Sequence, residues 1–340
     1  MMRLPWFRYQ SPANVAEAAR MLAAEGPEAM LVAGGTDLLP NMKRRQQTPA
    51  TLISLARVQE MKKIANGSGL ALGAGLTLTE VVNAQGLRER YRGLWQAAAQ
   101  VASPHLRNMG TLGGNLCLDT RCNYYDQNED WRQAIGYCMK KAGKTCWVAT
   151  ASKRCLAVSS TDTAPALIAL GAKVKLVSAA GERELALEQL YANDGMAYLT
   201  RKPDEILTQV ALPDAGGWVS TYWKLRRRGS FDFPLLGVAA AGRIAADGMV
   251  EEMRLVLGAV ASQPIIAAKA AEFLVGKQLT DEVIAEAGAL AASRAKPMYN
   301  TDLDVYWRKE VVPAYVGYAL RELRGDDMRA VLMKTARQAL

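Results

Sequence analysis

The 340-residue sequence predicts an α+β protein in two parts, and three features carry that prediction. Strand-like runs near the N-terminus alternate with a segment of helical period. A strand-like run further on ends in the break Pro213-Asp-Ala-Gly-Gly217. Beyond that break the pattern changes to paired strand runs and then to Ala-rich helical stretches. The parts fall at 1–217 and 218–340. With half its residues apolar and 22% charged, the chain has material for a sizeable core and length for two or three domains.

In chain order, "WFRYQ" reads as a strand. Ser11-Pro12 then opens a helix with proline at its first position, and Val15, Ala18, Ala19 and Leu22 recur at helical spacing. "AMLVAGGTDLLP" is an apolar strand ending in a glycine pair, and "ATLISLARV" is another strand, completing a small βαβ-type unit. "LALGAGLTLTEVVNA" and "GLWQAAAQVAS" lead to a second glycine-rich turn, "RNMGTLGGNL". A turn-rich, weakly periodic segment follows at about 117–156. After it come a helix ("STDTAPALIAL"), the strand 172–178, a turn at Ala180-Gly181 and a return. The strand "DEILTQVAL" precedes the break. Then "STYWKLRRR" and "GVAAAGRIAADGMVEEMRLVLGAV" read as hairpins, and helices fill about 264–295 and the C-terminus.

Composition narrows the function. No run approaches the roughly 18 apolar residues of a membrane span, and "MMRLPWFRYQ" lacks a secretory h-region, so a cytoplasmic protein with reduced thiols is expected. Net charge is +9, but the basic residues are scattered over 42–46, 139–144 and 224–229 rather than forming a stripe with stacking aromatics. Nucleic-acid binding is not expected. Solvated surface, or contact with an acidic partner or anionic cofactor, accounts for the charge.

Two glycine loops stand out. "AGGTDLL" at 33–39 follows a strand, where glycines allow close backbone approach and successive N–H groups can cradle a phosphate. "GTLGGN" at 110–115 adds Thr111 and Asn115 as hydrogen-bonding side chains. Together the loops suit a ligand with two phosphates and a long body, although each also reads as a plain tight turn. "GAGLTL" at 73–78 has Leu78 in place of the third glycine of a dinucleotide fingerprint, and no helix clearly opens there. "VGKQ" at 275–278 is not a P-loop. The single histidine, His105, beside Pro104, is expected to be structural or cofactor-lining rather than half of a Cys–His pair.

All five cysteines fall between 117 and 155, spaced C-x4-C-x15-C-x7-C-x8-C. An odd count in a reducing compartment disfavours disulfides, and the lack of any C-x2-C pair disfavours a zinc ribbon or thioredoxin-type motif. Three readings stand: a [4Fe–4S] cluster wrapped by a polar loop, zinc, or ordinary buried thiols. Nearby lysines would offset the charge of four thiolates.

The stretches "AGGTDL", "RNMGTLGGN", "STDTAPALIAL" and "YWKLRRRGSFDFP", in this order, resemble the FAD-binding subunits of the xanthine dehydrogenase/molybdenum hydroxylase family over nearly the whole chain. The resemblance implies a two-part FAD domain, a small βαβ part plus a mixed or antiparallel sheet part. A C-terminal α+β domain of antiparallel sheet and helices would follow. It implies that Leu31, Val32, Ala33, Gly34, Gly35, Thr36, Asp37 and Leu38 wrap the pyrophosphate. Val101, Gly110, Thr111, Gly114 and Asn115 would line the second loop. Asp162 would contact the ribityl or ribose hydroxyls, Leu207 would pack on the flavin, and Lys224 would approach the isoalloxazine.

The cysteine-rich insertion is similar to that of a small subset of the family, the 4-hydroxybenzoyl-CoA reductases. This likeness implies [4Fe–4S] ligation by Cys122, Cys138, Cys146 and Cys155, with Cys117 left over. The chain would then be an electron-transfer subunit with no substrate site of its own. It would pass electrons from ferredoxin through the cluster and FAD to a large molybdenum-cofactor subunit, beside a small subunit with two [2Fe–2S] clusters, in a dimer of heterotrimers. The reaction implied is reductive dehydroxylation of 4-hydroxybenzoyl-CoA to benzoyl-CoA in anaerobic aromatic degradation. Lys140, Lys141 and Lys144 would form a basic face for ferredoxin. The alternative is the flavin subunit of an oxidative aldehyde or xanthine-type dehydrogenase.

Overall fold

The computed structural model describes residues 3–336; Met1, Met2 and the last four positions of the predicted C-terminal part lie outside the described residues. Three sheets organise the chain. The first is parallel, with β1 (Arg8–Gln10), β2 (Ala29–Val32) and β3 (Thr51–Ser54) in the order β1-β3-β2. The helix Val15–Glu25 connects β1 to β2 and buries Ala18, Ala19 and Leu22 in the core. It starts later than Pro12 suggests, because Asn14 caps it by accepting the Glu17 N–H at 2.9 Å.

The second sheet contains β4 (Ile64–Asn66), β5 (Leu70–Gly73), β6 (Lys173–Ser178), β7 (Gly181–Ala186) and β8 (Ile206–Leu212), in the order β4-β5-β8-β6-β7. Every neighbouring pair is antiparallel. A short helix, Leu78–Val82, does open after "GAGLTL", held by a capping box between Thr77 and Glu80. The sequence reading missed it because only five residues long it shows no helical period. β5 is nonetheless an antiparallel strand, so no βαβ dinucleotide unit forms there.

The third sheet is antiparallel, with β9 (Trp218–Leu225), β10 (Leu236–Ile244), β11 (Val250–Gly258) and β12 (Ile265–Ile266) in the order β12-β11-β10-β9. Alternation along its strands decides which core each side chain joins. Val238 and Ala240 face the helices Asp281–Ala292 and Val312–Arg324, packing with Ile284, Val316 and Leu320. Ala239 and Ala241 face the other way, with Tyr222, into the core of the first two sheets. Buried on both faces, this sheet fixes the C-terminal part against the rest of the chain. It also directs Tyr222 and Lys224, two apart on β9, to one side.

The segment 117–156 forms one short helix, Glu129–Ala134, and otherwise turns. Polar as it is, it builds a small apolar cluster around its own thiols: Cys122, Tyr125, Cys138 and Cys155, with Ala157. Hydrogen bonds tie it to both parts of the chain. Gln46 Nε2 donates to the Tyr125 carbonyl (2.6 Å) and Arg132 Nη2 to the Arg44 carbonyl (2.6 Å). On the other side the Asn123 N–H donates to the Asn300 carbonyl (2.8 Å) and Asn300 Nδ2 to the Leu156 carbonyl (2.6 Å). Among the described residues no helix is long and apolar enough to cross a membrane.

Candidate functional site

A cavity of about 660 Å3 opens where β2, the second sheet and the second glycine loop meet. All the predicted flavin-contacting residues except Lys224 line it. The glycines let the two loops touch. A Cβ on Gly34 would collide with the Met109 carbonyl carbon and lie 2.9 Å from the Gly110 nitrogen, and one on Gly110 would lie 3.4 Å from Thr36 Oγ1. Gly35, at φ +69°, adopts the left-handed conformation that turns the chain toward the helix Leu38–Lys43. The second loop is held by the extension of β5: the Gly113 N–H donates to the Ala74 carbonyl and the Leu112 N–H to the Leu76 carbonyl (2.8 and 2.9 Å). Thr111 accepts the Gly114 N–H at 3.1 Å. Asn115 Oδ1 accepts from Thr161 Oγ1 (2.8 Å) and from both the N–H and Oγ1 of Thr163 (3.2 and 2.6 Å). That fastens "GTLGGN" to "STDT".

Asp162 lines the cavity from that same segment, but Lys224 stands behind it. The Lys224 ammonium, with no side-chain exposure, lies 2.9 Å from Asp162 Oδ2 and 3.0 Å from the Gln100 carbonyl, and Tyr222 Oη donates to Asp162 Oδ1 at 2.8 Å. Lys224 therefore does not line the cavity as the resemblance implies; β9 turns it into the wall, where it holds the carboxylate in place. Burial pushes the Asp162 carboxyl up and the Lys224 ammonium down, while their contact opposes both shifts. Asp162→Ala should destabilise the protein by about 3–5 kcal/mol, because it leaves a buried ammonium unpaired. Asp162→Asn should cost less, and thermal unfolding of the two variants checks the order.

Sequence reasoning missed several groups at this cavity. Ser160 lines it with a buried hydroxyl that has no protein partner, a donor available to a ligand. Arg121, 7% exposed, also lines it, pairs with Asp37 and reaches Asp126 at 3.7 Å, so it ties the first glycine loop to the cysteine segment. Ser160 lies two residues before Asp162, which was the available signal; nothing local marked Arg121. His105 is exposed on the short helix Pro104–Arg107 and does not line the cavity, so it does not take the expected cofactor-lining role.

A second, smaller cavity adjoins the first. Cys122, Cys138, Cys146 and Cys155 line it, each 4–6% exposed and none in a disulfide. Cys117 lines the larger cavity instead and packs against the main core. Burial pushes the Cys122 thiol up to about 12 and Cys155 up to about 11, and for each the other cysteines add to the rise. Four thiols held together in a dry site lose their protons only when a positive group takes the charge. The expected basic face is corrected here. Lys140 turns inward to Asp119 with its side chain 5% exposed, and Lys141 Nζ donates to the Gln46 carbonyl at 2.9 Å. Only Lys144 of the three is exposed, because the lysines lie in irregular turns whose spacing does not set which way a side chain points.

Residues 5–215 match the FAD-binding domain of molybdopterin dehydrogenases, and residues 220–323 match the C-terminal domain of the CO dehydrogenase flavoprotein. The chain belongs to the molybdenum hydroxylase family, as an FAD-binding subunit. Relatives include the FAD-binding subunit of an aldehyde oxidoreductase from Escherichia coli K12, 33% identical over 76% of this chain and 82% of that one. The FAD subunit of a nicotinate dehydrogenase from Eubacterium barkeri is 27% identical over 90% and 92%. A solved structure of carbon monoxide dehydrogenase from Hydrogenophaga pseudoflava contains a chain that superimposes with a TM-score of 0.78 at 26% identity, covering 95% of this chain and 99% of that one.

The larger cavity fits the flavin this family's domain binds. Its volume is within the usual range for cofactor sites. Its backbone approaches closely at the glycine loops, and it presents an unpartnered hydroxyl at Ser160 and a carboxylate at Asp162. When bound, FAD supplies both one- and two-electron chemistry. The glycine loops would supply backbone N–H groups to its phosphates, and Asp162, backed by Lys224, is a fixed carboxylate in the wall.

Proposed function

We propose that this protein is a flavo-iron–sulfur electron-transfer subunit. FAD would sit in the larger cavity, held by the glycine-loop residues, Asp162 and Leu207. A [4Fe–4S] cluster would sit on Cys122, Cys138, Cys146 and Cys155. The observation that carries this reading is the convergence of four buried, unbridged thiols on one cavity, with the fifth cysteine set apart. Four cysteine thiolates are the usual ligand set of a [4Fe–4S] cluster, and this cavity presents four.

The two cavities lie either side of the Arg121-Cys122 peptide, Arg121 on the flavin side and Cys122 on the cysteine side. That adjacency supports electron exchange between the groups they would hold. The partners proposed are a large molybdenum-cofactor subunit and a small subunit with two [2Fe–2S] clusters, supported by relatives named as a subunit or medium chain of dehydrogenases.

 Direction is the remaining choice. The relatives act on an aldehyde, nicotinate and carbon monoxide according to their names, which supports an oxidative dehydrogenase. The cysteine spacing supports the second reading, ferredoxin-driven reduction of 4-hydroxybenzoyl-CoA. Anaerobic mixing of the holocomplex with substrate separates the two. Bleaching of the flavin by an aldehyde with no added reductant is the oxidative result. Formation of benzoyl-CoA only when a reduced viologen or ferredoxin is supplied is the reductive one.

A further inference from the structure

Lys140 lies in the wall between the two cavities. It lines the cysteine cavity, whereas its partner Asp119 lines the flavin cavity. Their side chains are 5% and 7% exposed and meet at 2.7 Å. The ammonium also donates to Thr120 Oγ1 (2.7 Å) and to the Gly195 carbonyl (2.6 Å), so its three N–H groups all have acceptors. The rings of Tyr125 and Tyr198 lie 5.1 and 5.2 Å from it. Five groups from three stretches of chain therefore fix one cation beside four thiols.

Stability alone does not account for such a pair. Removing two charges from water costs several kcal/mol per ion, and apolar side chains of similar size often serve a fold equally well. What an apolar side chain lacks is the field of a fixed charge. Net charge and nearby hydrogen bonding are the protein's means of setting a cluster's potential, and a cation favours the reduced, more negative state.

We propose that Lys140 is a positioning residue that raises the reduction potential of the cluster, and that Asp119 holds it there and moderates its effect. This rests on the [4Fe–4S] reading above. Asp119 gives the flavin cavity a carboxylate whose charge the lysine balances, so the same pair faces both redox groups.

The test is a redox titration of the holocomplex followed by EPR and visible absorption, with iron, sulfide and FAD measured in each variant. Lys140→Met should lower the cluster potential by the equivalent of about a tenfold change in its reduction equilibrium, ~59 mV for one electron. Asp119→Asn should raise it, and Lys140→Arg should leave it near that of the unaltered protein. A purely structural pair would instead lose cluster in both Lys140→Met and Asp119→Asn, with no opposite shifts in potential. Unchanged potential in an iron-replete Lys140→Met, or shifts of the same sign in both variants, would overturn the proposal. If Lys140→Met loses its iron, the upward shift in Asp119→Asn decides the matter. Absence of iron and sulfide from the unaltered complex would overturn the cluster assignment itself.

Discussion

Cys138→Ser should strip iron and acid-labile sulfide from the protein while FAD stays bound. Cys138 is 6% exposed and faces the cysteine cavity, and neither it nor the other three thiols of that cavity line the flavin cavity. A serine there is a poor iron ligand, and left without a partner its hydroxyl costs about 1–3 kcal/mol. The segment's small apolar cluster includes Cys138 itself, so local loosening should accompany the loss of iron. Cys117→Ser is the control. Cys117 packs against the main core and lines the larger cavity, so iron and sulfide should remain at their original content. Metal analysis and the flavin spectrum read both outcomes. Loss of iron from Cys117→Ser with retention in Cys138→Ser would mean that the ligand set is wrong.

Gly34→Ala should give the opposite dissociation, losing FAD while keeping iron. The added Cβ would meet the Met109 carbonyl and the Gly110 nitrogen, both backbone atoms, so no change of rotamer relieves the collision. The two glycine loops must then separate, at a cost of about 1–3 kcal/mol or more, and the cradle opens where both contribute backbone to the ligand. FAD content after gel filtration should fall at least tenfold. The cysteine segment is anchored elsewhere, through Gln46, Arg132 and Asn300, so iron should stay. Full FAD occupancy in this variant would contradict the assignment of these loops to the cofactor.

The sequence made legible what depends on local spacing. Glycine pairs, the first directly after an apolar strand, marked both cavity loops, and the thiol spacing set the cysteine segment apart from the flanking core. Period-2 alternation in "TYWKL" also held the orientation of Lys224: it shares a face with Tyr222, opposite Trp223 and Leu225. Reading that alternation would have put Lys224 on the Tyr222 face of the strand; its partner Asp162, 62 residues away, comes only with the tertiary fold. Lys140 was not legible, because side chains in irregular turns have no period. Its inward direction is set by contacts with Thr120 and Gly195, 20 and 55 residues away in the chain. Ser160 and Arg121 depend on the same kind of long-range closure, since the cavity they line exists only once three sheets and the insertion have assembled.

The most direct test of the central claim is the iron, sulfide, zinc and FAD content of the protein purified without oxygen, together with EPR after reduction. The account predicts about four iron and four sulfide per FAD in this chain, no stoichiometric zinc, and a cluster signal that disappears in Cys138→Ser. A chain with FAD but no iron, or with one zinc in place of the cluster, would contradict it.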